Sequence, residues 1–211
     1  MLWDNDGVLV DTEHLFYATN RDIFNEHGID LTPANFFDWF LDANCGAWHL
    51  LSQKGYVNDT IDALRRERDQ RYSEQLQRET AYANDGIEKI LARLWKKIPM
   101  GVVTSAKLEH FNLIHRGLTL RPYFDFVVTE EDYQDSKPAP DPYLLGLKKI
   151  GLTAAECLAI EDSPRGLQAA NAAGIKCIIL RNNMTMHFPF EGAYRVVDSM
   201  PQLLDEIEAH L

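Results

Sequence analysis

The sequence predicts an α/β protein: a doubly wound parallel sheet with a helical segment inserted after the first strand. Two patterns carry this expectation. Short apolar, β-rich runs recur at Gly101–Val103, Phe126–Val128, Leu158–Ile160, Lys176–Leu180 and Arg195–Val197. Each is followed, within a few turn-forming residues, by a segment with apolar residues three and four apart. Strand alternating with helix is the pattern of a parallel sheet whose crossovers cover both faces. Between Glu13 and Thr80 the strand signal vanishes and the helical period alone remains.

Taken in order, the first strand must be short, because only Met1-Leu2-Trp3 precede the acidic Asp4-Asn5-Asp6-Gly7. The inserted helices are expected over His14–His27, Pro33–Asp42, Ala47–Lys54 and Thr60–Glu79, with Gly28 and Gly55 as stops. Downstream helices are expected over Ile87–Lys97, Leu108–Gly117, Pro142–Ile150, Gly166–Ala173 and Pro201–Leu211. Asp141-Pro142 offers an N-cap followed by proline at the first helical position, and Gly151 and Gly174 stand where helices end. Two domains follow: a core of residues 1–13 and 81–211, and a helical insert of residues 14–80. The charge-rich stretch Arg65–Arg71 is expected to be the solvated face of a long helix. His187, with Met184, Met186 and Phe188, is expected in a surface turn before the last strand.

Composition narrows the function classes. Of 211 residues, 45% are hydrophobic and 25% charged, the balance of a chain that buries a core. No apolar run approaches the roughly 20 residues of a membrane span, and the chain opens without a basic and apolar leader, so a cytoplasmic location is expected. A formal net charge of -11, from 32 acids against 21 Lys plus Arg, disfavours nucleic acid and anionic lipid as partners. A small anionic substrate must then be drawn by a local cation. Cys45, Cys157 and Cys177 lack the spacing of a disulfide framework or zinc site and are expected as small core fillers. No feature speaks for an oligomer, so a monomer is expected.

Four loops carry the chemistry. Asp4 and Asp6, two apart, can project into one space at the carboxyl end of the first strand, where open α/β sheets bind ligands. Gly7 lets the backbone turn sharply beside them. Thr104 and Ser105 place hydroxyls at the end of the strand Gly101–Val103, where they and nearby N–H groups can meet an anion. Lys137, between Ser136 and Pro138, is biased toward an extended conformation. Glu161 and Asp162 follow the strand Leu158–Ile160, with helix capping by Asp162 or Ser163 as the competing role. Four carboxylates brought to one rim cannot all stay ionised without cations. The set therefore calls for a hard divalent ion, Mg2+, at Asp4, Asp6, Glu161 and Asp162.

These four motifs, in this order, resemble the haloacid dehalogenase superfamily of phosphotransferases. The match runs through Asp4-Asn5-Asp6-Gly7-Val8-Leu9-Val10-Asp11-Thr12, Val102-Val103-Thr104-Ser105, Ser136-Lys137-Pro138-Ala139-Pro140-Asp141-Pro142 and Ile160-Glu161-Asp162-Ser163-Pro164-Arg165-Gly166. Within the superfamily the chain is most similar to the β-phosphoglucomutase-like branch and its sugar-phosphate phosphatases, which carry a helical cap after the first motif. The resemblance implies Asp4 as nucleophile through an aspartyl-phosphate and Asp6 as general acid and then base. It implies Mg2+ on the Asp4 and Asp162 carboxylates and the Asp6 main-chain carbonyl, with Glu161 direct or one layer behind. Thr104 would bind a phosphoryl oxygen, and Lys137 would neutralise the phosphoryl group and Asp4.

The cap departs from the mutases. Their lysine-glycine pair and arginine, which grip the non-reacting phosphate, have no counterpart in Leu41–His49, and Phe16 stands where a mutase has histidine. The expected function is thus hydrolysis of a small phosphorylated metabolite, a sugar or polyol phosphate with a neutral, hydroxyl-bearing leaving group. A phosphohexomutase is the alternative. Asn44, Trp48, His49 and Phe16 are candidate contacts to the leaving group. A dehalogenase needs neither Asp6 nor the acidic pair, and a catalytically silent scaffold would not need the acidic set at all.

Overall fold

The computed structural model describes residues 1–211. Its centre is a six-stranded, all-parallel sheet formed by β1 (Leu2–Trp3), β2 (Gly101–Val103), β3 (Phe126–Val128), β4 (Leu158–Glu161), β5 (Lys176–Leu180) and β6 (Arg195–Val197). The spatial order is β3-β2-β1-β4-β5-β6. Although β1 has only two residues, it pairs with β2 on one side and β4 on the other. The order of strand addition reverses beside it, with β2 and β3 added outward on one side and β4, β5 and β6 outward on the other. The carboxyl ends of β1 and β4 thus flank the topological switch point, where a parallel sheet opens a crevice.

Successive strand residues face opposite sides of the sheet, and both sides are covered. Trp3, Val102, Ile160 and Ile178 join one buried cluster with α5 (Ile87–Leu94), α6 (Leu108–His115) and α9 (Met200–His210). Leu2, Val103, Ala159 and Ile179 join the other with Tyr143 of α7 (Asp141–Ile150) and Leu167 of α8 (Pro164–Ala172). Burial on both faces explains why these strands read as unbroken apolar runs rather than alternating ones.

Between β1 and α5 lie α1 (Glu13–Glu26), α2 (Pro33–Phe36), α3 (Trp48–Gln53) and α4 (Asn58–Arg78). They enclose a separate core rich in aromatic rings, among them Phe24, Phe36, Phe40 and Trp48. Thr32 caps α2 by accepting from the Asn35 N–H, with Pro33 at the first helical position. The single helix expected over Pro33–Asp42 instead loosens into a π-helical stretch, Phe37–Asp42. Residues Tyr72 and Leu76 of α4 join the main core cluster, so the end of this helix packs on the sheet domain. No helix is long and apolar enough to cross a membrane.

Several expectations need correction. Pro140 occupies the cap position of α7, and Asp141 is already helical. Cys45 is exposed, because it sits in the loop after the π-helical stretch and not in a core; Cys157 and Cys177 are buried as expected. The turn containing His187 does reach the helical insert, where Phe188 meets the Phe37 ring at 5.5 Å and Met184 packs on the aromatic core. His187 itself is exposed.

Candidate active site

Each motif loop leaves the carboxyl end of a strand, and together they bring Asp4, Asp6, Thr104, Ser105 and Asp162 to one cavity of about 420 Å3. Asp4 follows β1 directly, with its N–H donating to Ile160 O of β4 at 2.9 Å. The turn after it requires Gly7, which has φ +78° and whose missing Cβ would overlap the Asp162 carboxylate. A similar close approach explains Gly166, where a Cβ would overlap the Glu161 carboxyl. The competing cap assignments also resolve: Ser163, not Asp162, caps α8, accepting from the Gly166 N–H at 3.2 Å.

Lys137 is 1% exposed, beneath the cavity floor. Its ammonium donates to Asp4 Oδ1 at 2.9 Å, Val103 O at 2.9 Å and Glu161 Oε1 at 2.6 Å, so its three protons are all committed. Burial alone would lower its pKa; the charges of Asp4 and Glu161 outweigh that and raise it. Glu161, fully buried, also accepts from Tyr143 Oη at 2.7 Å. Burial, then the charge of Asp4, pushes its carboxyl up. Asp162 is pushed up by burial and by Glu13.

Thr12 stands at the cap position of α1, but its hydroxyl does not cap the helix. It donates to Asp6 Oδ1 instead. Burial raises the Asp6 pKa, and the Thr12 hydrogen bond opposes that rise. Thr104 Oγ1 accepts from the Ala106 N–H at 3.0 Å, tightening the loop after β2. Ser105 Oγ is buried without a partner, a hydroxyl that the protein itself leaves unused.

Carboxylate oxygens of Asp4, Glu161 and Asp162 all lie within 4.8 Å of one another. Three acids against the one ammonium of Lys137 leave a deficit of positive charge, and every donor offered is a hard oxygen. This set fits a divalent cation such as Mg2+. With Glu161 Oε1 held by Lys137 and Tyr143, Asp4 and Asp162 are the freer donors.

The cavity's other wall comes from the helical insert: Phe16, Phe40, Leu41, Asn44, Trp48, Arg65, Arg68 and Tyr72. Asn44 bridges insert and core, with Nδ2 donating to Lys137 O at 2.6 Å and Oδ1 accepting from Arg165 at 2.8 Å. Trp48 and Phe16 both pack and line the cavity. His49 faces a neighbouring cavity of about 460 Å3 and bonds to Gly46 O.

The charge run Arg65–Arg71 is the main correction at this site. Arg66 and Glu67 are solvated as expected, but Arg68 and Asp69 turn inward with 16% and 18% side-chain exposure. Lys107, at the cap of α6, reaches Asp69 at 2.6 Å and ties α4 to the core. Arg65 lies over the Trp48 ring at 5.3 Å, and Arg68 over Phe16 at 4.9 Å. The wall therefore does carry cations, from α4, beyond the stretch Leu41–His49. Glu13, Arg165 and Asn182 were also missed. Asn182 Nδ2 donates to Asp162 Oδ2 at 2.8 Å and to Glu13 at 3.3 Å. Adjacency to the Asp11-Thr12 motif and the Pro164-Arg165-Gly166 turn was the only available signal, and Asn182 had none.

Residues 1–180 match the model of the haloacid dehalogenase-like hydrolases. The chain belongs to this family, and it is an enzyme of the phosphatase kind. It is 30% identical over 223 residues to protein CbbY of Cupriavidus necator, covering 99% of this chain and 87% of that one. It is 27% identical over 190 residues to fructose-1-phosphate phosphatase YqaB of Escherichia coli, covering 86% and 95%. Among solved structures, CbbY from Rhodobacter sphaeroides in complex with phosphate superposes with a TM-score of 0.73 at 27% identity, over 96% of this chain and 94% of that one. A mutant of the same protein is known in complex with xylulose-(1,5)bisphosphate, with a TM-score of 0.72 at 26% identity over 94% and 92%.

Proposed function

We propose that the protein is a Mg2+-dependent phosphatase of sugar or polyol phosphates, with residues 14–80 as a cap over the core. The observation that carries this reading is Asp4, held by Lys137 at the switch point, opening with Asp6 onto one polar cavity. Relatives that act on phosphorylated sugars support the substrate class.

In this mechanism an Asp4 oxygen attacks phosphorus, giving an aspartyl-phosphate that divides one hard displacement into two. Asp6 protonates the departing alkoxide oxygen, then takes a proton from the water that attacks the phosphoenzyme. Lys137 holds Asp4 in its attacking orientation and offsets charge as it grows. Thr104 and Ser105 meet the phosphoryl oxygens, and the unused Ser105 hydroxyl is free to do so. Asp4, Asp162 and the Asp6 main-chain carbonyl would hold Mg2+, with Glu161 behind them. When bound, the ion supplies charge neutralisation for the phosphoryl oxygens, which is most of what phosphoryl transfer requires.

Arg65 and Arg68 modify the expected leaving group. A hydroxyl-rich alcohol carrying a second anionic group suits this wall better than a purely neutral one. A phosphate-release screen over sugar and polyol mono- and bisphosphates, with added Mg2+ and with chelator, tests the reading. Mg2+-dependent release of inorganic phosphate is expected. Full activity after exhaustive demetallation, or conversion to a positional isomer with little free phosphate in phosphorus NMR, would overturn it.

A further inference from the structure

Asn5 lies between the two catalytic acids, fully buried, and has no place in the mechanism above. Its carboxamide is nevertheless tied at both ends. Nδ2 donates to Asp6 Oδ2 at 3.2 Å, and Oδ1 meets His115 Nε2 at 2.7 Å. His115 is the last residue of α6, buried and stacked on Phe111 with ring centroids 4.1 Å apart.

We infer that His115 and Asn5 form a two-residue relay that positions the Asp6 carboxyl for its proton transfers. The hydrogen bonds admit one consistent orientation. Turning the Asn5 amide over would set its oxygen against the Asp6 carboxylate, so Nδ2 faces Asp6 and Oδ1 faces the ring. His115 must then carry its proton on Nε2. Burial, then the charge of Arg121, lowers the His115 pKa to about 4, so the ring donates as a neutral imidazole. Thr12 occupies Asp6 Oδ1 and Asn5 occupies Oδ2, and two donors on two oxygens fix the plane of the carboxyl. An apolar side chain at position 5 would free that plane and strand a buried imidazole N–H. His115 and Asn5 are positioning residues, acting only through Asp6.

This inference rests on the phosphatase reading and concerns its first step. As Asp4 Oδ bonds to phosphorus, the phosphorus–oxygen bond to the leaving group breaks, its electron pair stays on that oxygen, and the Asp6 proton joins it. An alkyl alkoxide needs this proton, whereas p-nitrophenolate departs without it. The value of kcat/KM covers substrate binding and this step, up to loss of the first product, and excludes hydrolysis of the phosphoenzyme.

The test compares kcat/KM for a hexose phosphate and for p-nitrophenyl phosphate. Asn5→Leu is expected to lower the first roughly 30-fold and the second less than about threefold, a partial loss of the roughly 100-fold or more that general acid catalysis supplies. His115→Leu should give the same split, and the double variant should lose no more than Asn5→Leu alone, since the two share one path. Equal losses on both substrates, additive losses, or no loss would overturn the relay. Nitrogen NMR of 15N-histidine-labelled wild-type protein tests it without any variant. A neutral Nε2–H tautomer at pH 7 is expected for His115, and an imidazolium or an Nδ1–H tautomer would overturn it. A wild-type chain that turns over neither ester would remove the phosphatase reading and the relay's purpose together. A selective loss measured against an active wild type bears on the relay alone.

Discussion

The two walls of the cavity are built by different rules. On the core side, charged groups are buried and each is answered by a specific partner: Lys137 by Asp4 and Glu161, Glu161 by Tyr143, Asp6 by Thr12. On the insert side, half-exposed Arg65 lies over the Trp48 ring, and Arg68, turned inward over Phe16, shares Asp69 with Lys107 of the core. Buried charge is costly unless every partner is present, so the core wall tolerates little change. The insert wall, nearer water, can vary its charges at small cost to stability. In the proposed function, chemistry is thereby kept apart from selection of the leaving group.

The largest expected effect lies on the core wall. Asp4→Asn removes the anionic oxygen proposed to attack phosphorus, and kcat should fall by about 10^4-fold or more. The amide still presents an oxygen to Lys137, so the melting curve should stay close to wild type. Rapid phosphate release by a folded variant free of deamidation would take Asp4 out of the nucleophile's role.

Stability gives the next contrast. Lys137→Met leaves Asp4 and Glu161 facing one another in a buried site, and the loss should be about 3–5 kcal/mol in urea unfolding. Adding Glu161→Gln should recover part of it. Arg65→Met on the insert wall should cost about 1 kcal/mol or less, because its pair with Asp62 is half-exposed to water. Equal losses at the two positions would break the distinction between the walls.

His115 contributes a pH dependence of definite sign. Its folded pKa of about 4 lies below the ordinary 6.5, so the unfolded chain binds more protons between these values. The stability of holding it neutral is present above pH 6.5 and is lost as pH falls toward 4, by on the order of 3 kcal/mol. The raised pKa values of Asp6, Glu161 and Asp162 act in the opposite direction, since burying them as acids costs less as pH falls. The comparison is therefore between wild type and His115→Leu unfolded at pH 7 and at pH 4.5. The gap between the two proteins should narrow at the lower pH; an unchanged gap would contradict the neutral, buried ring.

How much of this was legible in the sequence follows the same division. The core wall is contributed by residues next to strand ends, so Asp4, Thr104 and Glu161-Asp162 announce themselves as polar groups closing apolar runs, and strand order does the assembly. The insert wall depends on which side of α4 faces inward. In a helix with so few apolar residues the period that would mark the inner face is faint, and Arg68 cannot be told from Arg66 by type. Asn5 is a different case. It sits inside the most legible motif, but its function depends on His115, 110 residues away, and only the packing of α6 under β1 joins them.

The smallest effect is the most informative about selectivity. Arg65 is half-exposed, pairs with Asp62 at 3.2 Å and lies over Trp48, so its charge is partly spent and partly screened. Removing it cannot disturb Asp4 or Asp6, which belong to the opposite wall. If its role is to meet a second anionic group, Arg65→Ala should raise KM for a sugar bisphosphate about threefold to tenfold, while kcat changes less than about twofold, the pattern of lost uniform binding. For a neutral polyol monophosphate neither constant should move by more than about twofold. Raising salt should shrink the wild-type preference for the bisphosphate, since an exposed ion pair is screened over about 10 Å at 0.1 M. An equal change in KM for both substrates would mean that Arg65 supports the Trp48 ring and not the ligand. The charge of the leaving group would then have to be read by Arg68 or Arg165 instead.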